Sequence, residues 1–206
     1  MIKIIYKGFR KIFFKGFTII DFITTIVRLA GNGVKFSSFR SNGCPYVMVA
    51  MSGKMKIGAD FAMNNNVRGN PIGCFQPCLF FVDNGAEIII GNHVGISQTT
   101  LVSHCRIEIQ DYVKIGGGTR VYTTDFHSLD PQLRASSNDM RNRISRPVTI
   151  MENAFIGAHC IILKGVTIGR NSIIGAGSVI TKSIPDNEIW AGNPAKFIRK
   201  ISCCQG

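Results

Sequence analysis

Four histidines, His93, His104, His127 and His159, are the side chains of this sequence that take up or release a proton near neutral pH, and a histidine so placed can act as a general base. Most histidines in proteins only pack or turn a corner. His127 is set apart by its place, because it ends the stretch TTDFHS and is followed at once by a long aperiodic segment, SLDPQLRASSNDMRNRISRP. Loops of that length in a compact repeat are usually functional or disordered. Asp125, two residues earlier, is able to orient an imidazole or a bound hydroxyl, and equally able to serve as a solvated turn carboxylate.

Metal chemistry is poorly supported by spacing. The histidines lie 11, 23 and 32 residues apart, with no close pair of the kind that zinc sites use. The seven cysteines, Cys44, Cys74, Cys78, Cys105, Cys160, Cys203 and Cys204, show neither paired CxxC spacing nor a disulfide framework, so reduced thiols in cytoplasm are expected and no metal is. Cys160 has the chemistry of a thioester nucleophile, but it occupies a small inward position of the repeat described next and reads as core.

These residues must be positioned by an element with an unusual period. Ile150, Ile156, Ile162, Ile168, Ile174 and Ile180 recur every six residues, with Val148, Ala154, Cys160, Val166, Ser172 and Ser178 two places before each. Neither the 3.6-residue period of a helix nor the period of two of a long strand fits. Six residues suit a short strand and a corner, repeated round a prism, so that three hexads close one triangular coil. The phase continues upstream through Ile90, Ile96 and Val102 and, after a slip of one residue, through Ile109, Ile115 and Val121, then blurs near Ile57 and Met63. Residues 126–147 read as a loop thrown out from one corner, rich in arginine through Arg134, Arg141, Arg143 and Arg146.

Composition sets the bounds. The 206 residues, 45% hydrophobic, suffice for one packed unit, and 24 Lys and Arg against 12 Asp and Glu give a formal charge of +12, which favours phosphates, anionic lipid or acidic glycans. No helix-turn-helix, zinc-finger or RNA-binding aromatic signature is present, which argues against nucleic acid as the partner. Residues 12–30 are apolar but broken by Lys15, Asp21 and Arg28, so they suit neither a signal peptide nor a spanning helix. Lys3, Lys7, Lys11 and Lys15, with Phe13, Phe17, Ile20 and Phe22, describe an amphipathic helix within residues 1–30 that either caps the open end of the main domain or lies on an anionic membrane surface. The expected division is a capping segment over 1–50, a repeat domain over 51–200 and a tail over 201–206.

The stretch PVTIMENAFIGAHCIILKGVTIGRNSIIGAGSVITKSIPDNEIWAGNPAKFIRK resembles the cofactor-binding half of the hexapeptide-repeat acyltransferases, the group of galactoside, maltose and polysaccharide O-acetyltransferases. That resemblance, which extends over roughly 57–200, implies an all-β fold: a left-handed parallel β-helix with a protruding loop and a short C-terminal helix, assembled as a homotrimer with active sites between subunits. It implies an acetyl-CoA-dependent O-acetyltransferase in which His127 is the general base and the backbone amide of Ala158 stabilises the oxyanion. Ala176, Thr181 and Lys182 would follow the pantetheine and nucleotide, and Lys196 and Arg199 the CoA phosphates. Phe155 stands where galactoside acetyltransferases often carry tryptophan beside the cofactor. A carbohydrate acceptor of a surface polysaccharide, handled in the cytoplasm or at the inner face of the membrane, suits the basic N-terminus and the arginine-rich loop. Serine or amino-sugar acetylation, a zinc carbonic anhydrase of the same architecture and a non-catalytic β-helix scaffold are the competing readings.

Overall fold

The computed structural model describes residues 2–201, except for the side chains of residues 11–15. Cys203, Cys204 and the side chains of Lys11, Phe13 and Lys15 therefore lie outside the described residues. The chain forms one long helix, α1 (Ile2–Gly31), followed by a three-sided parallel β-helix. The first face stacks Lys35–Phe36, Lys54–Ile57, Glu87–Ile90, Arg106–Ile109, Val148–Ile150 and Thr167–Ile168. The second runs through Phe39–Asn42, Phe61–Asn64, Gly95–Ser97, Lys114–Ile115, Phe155–Ile156 and Ile173–Ile174, and the third through Tyr46–Val49, Leu79–Val82, Thr100–Ser103, Arg120–Tyr122, Ile161–Ile162 and Val179–Ile180.

The six-residue period has a direct structural meaning. Ile150, Ile156 and Ile162 point inward from the three faces of one coil, and Ile168, Ile174 and Ile180 pair with them in register from the next. The first-face column is Ile57, Ile90, Ile109, Ile150 and Ile168, each at most 1% exposed. Side chains on a strand alternate between faces, so these two coils each contribute one such ring plus the smaller residue two places earlier. Each face is buried by the other two, so the prism encloses its own core.

Three expectations require correction. The β-helix begins at Lys35, not at 51, because the strands at 35–36, 39–42 and 46–49 pair in the same three sheets as the later coils. The repeat was blurred there because its inward residues are Phe36, Phe39, Phe61, Met55 and Met63 instead of a run of isoleucines, and because residues 65–78 leave the coil between two strands. The slip in phase falls one strand earlier than the hydrophobic spacing implied: Leu101, not Val102, pairs with Val121 and is fully buried. The corner before it is shortened around Gln98, which turns with φ +44 and donates from Nε2 to Cys74 O. Finally, no C-terminal helix follows the coils among the described residues. Glu188–Ala191 adds to the second face and Lys196–Lys200 returns antiparallel to it, around Gly192 (φ +103) and Pro194, two residues that disfavour helix.

Helix α1 ends in a Schellman turn, with Val34 N donating to Leu29 O at 3.0 Å, Gly33 N to Ala30 O at 2.9 Å and Gly33 at φ +67. Leu29 and Val34 are both buried there and close the first coil. Asp21 Oδ2 accepts from Gly43 N at 2.8 Å and Arg68 Nη2 at 2.9 Å, and Arg28 Nη1 donates to Pro45 O at 2.7 Å. Arg68 also packs its guanidinium over the Phe17 ring, 4.6 Å from the centroid, so the helix is docked on the end of the prism from Phe17 to Asn32.

The inward and outward positions differ sharply in what they support. Ile156→Ala is expected to destabilise the protein by about 2–5 kcal/mol through the cavity it leaves. Phe155→Ala, one residue away on the outer surface, should cost about 0.5 kcal/mol or less. Denaturant unfolding of the two variants measures the difference, and equal losses would contradict the assigned register.

Candidate active site

His127 stands where the third face gives way to the first, just after Arg120–Tyr122. The chain leaves the coil over the buried Thr123 and Thr124 and returns through a Thr124–Ser145 bridge, with Arg146 N donating to Thr123 O at 2.9 Å. Phe126 turns with φ +67 and sets its ring edge-on to Tyr122 and His104. The loop between is ordered by its own polar groups. A short helix, α2 (Pro131–Arg134), is N-capped by Asp130, Arg134 Nη1 donates to Ser128 O at 2.9 Å, and Arg143 Nη2 reaches Asp83 Oδ2 at 2.8 Å.

One consequence of that order is a histidine–carboxylate pair. His127 Nδ1 lies 2.6 Å from Asp139 Oδ2, and Asp139 Oδ1 accepts from Ser128 N at 2.7 Å. A carboxylate is an acceptor, so Nδ1 carries the proton of this bond and Nε2 is the ring nitrogen left toward solvent. The imidazole is 63% exposed and the Asp139 side chain only 15%, so the ring faces outward while its partner is held by the loop. The hydrogen bond from His127, with that from Ser128 N–H, lowers the Asp139 pKa below the usual carboxylate range.

Asp125 does not share this arrangement. It accepts a hydrogen bond from Lys164 Nζ, which extends from the same corner of the next coil, and its Oδ2 is buried without a hydrogen-bond partner among the described residues. The residue that orients the imidazole is Asp139. Sequence reasoning had no access to it, since it lies twelve residues downstream in a segment without a period. Lys164 was legible in principle, by counting from Ile162 round to the corner that His127 leaves.

The cofactor candidates fall on two sides of the prism. Phe155 is exposed on the second face beside Asn64, Ser97, Lys114 and Gly116, which line a shallow groove of about 260 Å³. Ala158 and Ala176 stack at the corner between the second and third faces. A Cβ on Gly116 would lie 2.5 Å from Ala158 N, and one on Gly157 2.5 Å from Ala176 N, so glycine lets the backbones of successive coils stack at this corner. Ala158 N–H has no acceptor among the described residues. Arg199 pairs with Ile189, which continues through Ile173 to Phe155, so Arg199 and Phe155 lie three strands apart, about 14 Å. Lys196 is on the same outer strand, opposite Ala191, and both basic side chains are exposed. Thr181 and Lys182 are exposed at the other corner, the one that carries His127. The third face separates the two groups within one chain.

The other histidines turn corners. His93 (φ +57) stacks on Tyr112 and pairs with Asp60, His104 pairs with Asp83, and His159 (φ +59) approaches Cys74 Sγ at 3.7 Å. Among the described residues no three His, Cys, Asp or Glu side chains converge as metal ligands. Cys160 is fully buried with Sγ 3.2 Å from Gly175 O, and burial raises its thiol pKa; Cys78, also buried, is pushed up to about 12. Both cysteines are core residues.

Comparison with known proteins bears on this geometry. Residues 147–182 match the family model described as bacterial transferase hexapeptide (six repeats). A maltose O-acetyltransferase from Clostridium difficile 630 superposes with a TM-score of 0.54 at 30% identity, over 82% of this chain and 70% of that one. The chain belongs to the hexapeptide-repeat acyltransferase family. Galactoside O-acetyltransferase of Escherichia coli K12 is 38% identical over 62% of this chain and 60% of its own length. A hexapeptide-repeat acetyltransferase from Vibrio cholerae, complexed with acetyl-CoA, is 34% identical with a TM-score of 0.52, over 56% of this chain and 61% of that chain. The curated relatives are thus matched over about six tenths of their length. Family members of this kind are acetyltransferases, and their structures include complexes with CoA and acetyl-CoA.

The lowered Asp139 pKa fixes the sign of a pH effect. A carboxylate held down in the folded state stabilises its contacts fully above its unfolded pKa and loses them as pH falls through the folded value. The Ser128 amide resonance should therefore stay constant through the ordinary carboxylate range and move only in stronger acid. In Asp139→Asn that movement should vanish. A midpoint at the ordinary value would contradict the pairing.

Proposed function

We propose that this chain is an acetyl-CoA-dependent O-acetyltransferase acting on a carbohydrate hydroxyl in the cytoplasm, and that its β-helix is left-handed and assembles as a homotrimer. The observation that carries the reading is the exposed His127 with Nδ1 tied to Asp139, in a chain of this family. In the proposed reaction His127 Nε2 takes the proton of the acceptor hydroxyl as that oxygen attacks the thioester carbonyl. Ala158 N–H, free of other acceptors, donates to the oxygen that becomes negative. His127 then returns its proton to the departing CoA sulfur, which leaves an acetyl ester and free CoA. Asp139 keeps the imidazole in the reactive tautomer throughout.

The division of the candidates between two corners supports the trimer. A cyclic assembly sets one copy's His127 corner against the neighbour's Ala158 corner, and so reunites base and oxyanion donor across each interface. Lys196 and Arg199, on the outer strand, are suited to the CoA phosphates. Phe155 lines the groove three strands away on the same face and is suited to the pantetheine. The buried, unpaired Oδ2 of Asp125 favours a role toward a bound hydroxyl over one toward the imidazole. The acceptor class follows the relatives named for galactosides and maltose, and the arginines of the loop favour an anionic polysaccharide unit.

Acetyl-CoA titration followed by thiol release against a panel of sugars and serine tests the proposal. Release with sugars is the expected result. Release with serine alone would reassign the acceptor, and failure to bind acetyl-CoA would leave the scaffold reading. His127→Ala is expected to lower turnover about 100-fold or more while cofactor affinity is kept. Replacing Lys196 and Arg199 should raise the acetyl-CoA KM more than it lowers turnover, and the reverse pattern would remove them from the cofactor site.

A further inference from the structure

Helix α1 is docked by the wrong face for an ordinary cap. Asp21, Thr25 and Leu29, four residues apart, are buried against the first coil, and Asp21 and Arg28 bond to Gly43 and Pro45 where the second face meets the third. Asn32 Oδ1 accepts from Val49 N at the far end of the third-face strand. Residues 21–32 therefore run across the end of the prism, along one edge of its first coil. The opposite side of the same helix is apolar. Ile2, Ile5, Phe9, Ile20, Ile23 and Val27 recur at spacings of three and four with one step of eleven, about three turns, which place them on one side, and they are 52–82% exposed. The two groups, Ile2, Ile5 and Phe9 near the start of the helix and Ile20, Ile23 and Val27 near its end, fall on one side of α1, the side turned away from the coils.

We propose that this stripe rests on an anionic membrane surface, with α1 lying in the interface and the β-helix standing above it. Charge selects the occupant. Residues 2–20 hold Lys3, Lys7, Arg10, Lys11 and Lys15 and no acidic residue before Asp21. Lys3 and Lys7 stand five full turns before Asp21 and Thr25, so the basic side lies opposite the apolar stripe. That is the division of a helix that sinks its apolar side into a lipid surface and is drawn there by anionic headgroups; a second copy would bring like charge instead. No helix of the described residues is long and apolar enough to cross a membrane, so the contact is peripheral. With a rise of 1.5 Å per residue, residues 2–16 of α1 span about 22 Å of the surface.

The test is flotation of the full-length protein with vesicles of phosphatidylcholine alone or mixed with phosphatidylglycerol, at low and at high salt. Binding to the mixed vesicles should exceed binding to the neutral ones by about ten-fold or more and weaken with salt. Lys3→Gln and Lys7→Gln should each reduce partitioning about five-fold. Ile23→Glu should abolish it with the melting temperature unchanged, since the side chain is exposed. Phe9→Glu, on the part beyond the dock, gives the same readout without touching the coil. Failure to float with anionic vesicles would overturn the proposal, as would binding indifferent to both glutamates. A loss of oligomeric mass in Ile23→Glu, with vesicle binding kept, would assign the stripe to contact between copies and overturn it equally.

Discussion

Everything in this molecule hangs on the parallel pairing of each short strand with its equivalent one coil away. Strands of two to four residues are too short to be stable alone, and their side chains bury nothing until a neighbour is stacked above or below. In-register pairing solves both problems together, because it satisfies the backbone and brings isoleucine onto isoleucine along each face. The ends of such a stack are its weak points. At one end α1 closes the first coil with Leu29 and Val34, and at the other the hairpin 188–200 covers the second face with a strand whose outer edge carries lysine and arginine. Exposed edges charged in this way resist further strand addition.

The later coils were legible because the selection on their inward positions is so narrow. From Ile150 to Ile180 one residue type repeats at one interval, and the only structure compatible with that interval is the coil observed. The earlier coils are built to the same register from phenylalanine, methionine and leucine, whose larger and more adaptable side chains fill the same volume without leaving a signature. The hairpin was hidden for a different reason. Short apolar stretches next to lysines suit a terminal helix as well as a strand, and the choice was made by Gly192 and Pro194 together with the free edge of Ile173–Ile174.

The site divides along the same line. His127 stood out because a regular pattern stopped beside it, which is information carried by the repeat. Asp139 has no such context: its partnership depends on how Asp130, Arg134 and Arg143 fold the loop back on itself. Asp125, the nearer carboxylate in sequence, is drawn to Lys164 on the adjoining coil. Proximity along the chain and proximity across coils are separate quantities here, and the imidazole obeys the fold of the loop.

The coil also behaves as a ruler. Each turn advances the chain by one strand spacing, about 4.8 Å, so the height of any group along the prism is quantised. His127 leaves from the fourth coil and Ala158 sits on the fifth. A deletion or insertion inside a corner loop leaves that one-coil offset untouched, whereas loss or gain of a whole coil shifts everything beyond it by a full graduation. Changes in loop length are thereby kept apart from the heights of the coils, and the spacing of His127 and Ala158 along the prism is set by counting.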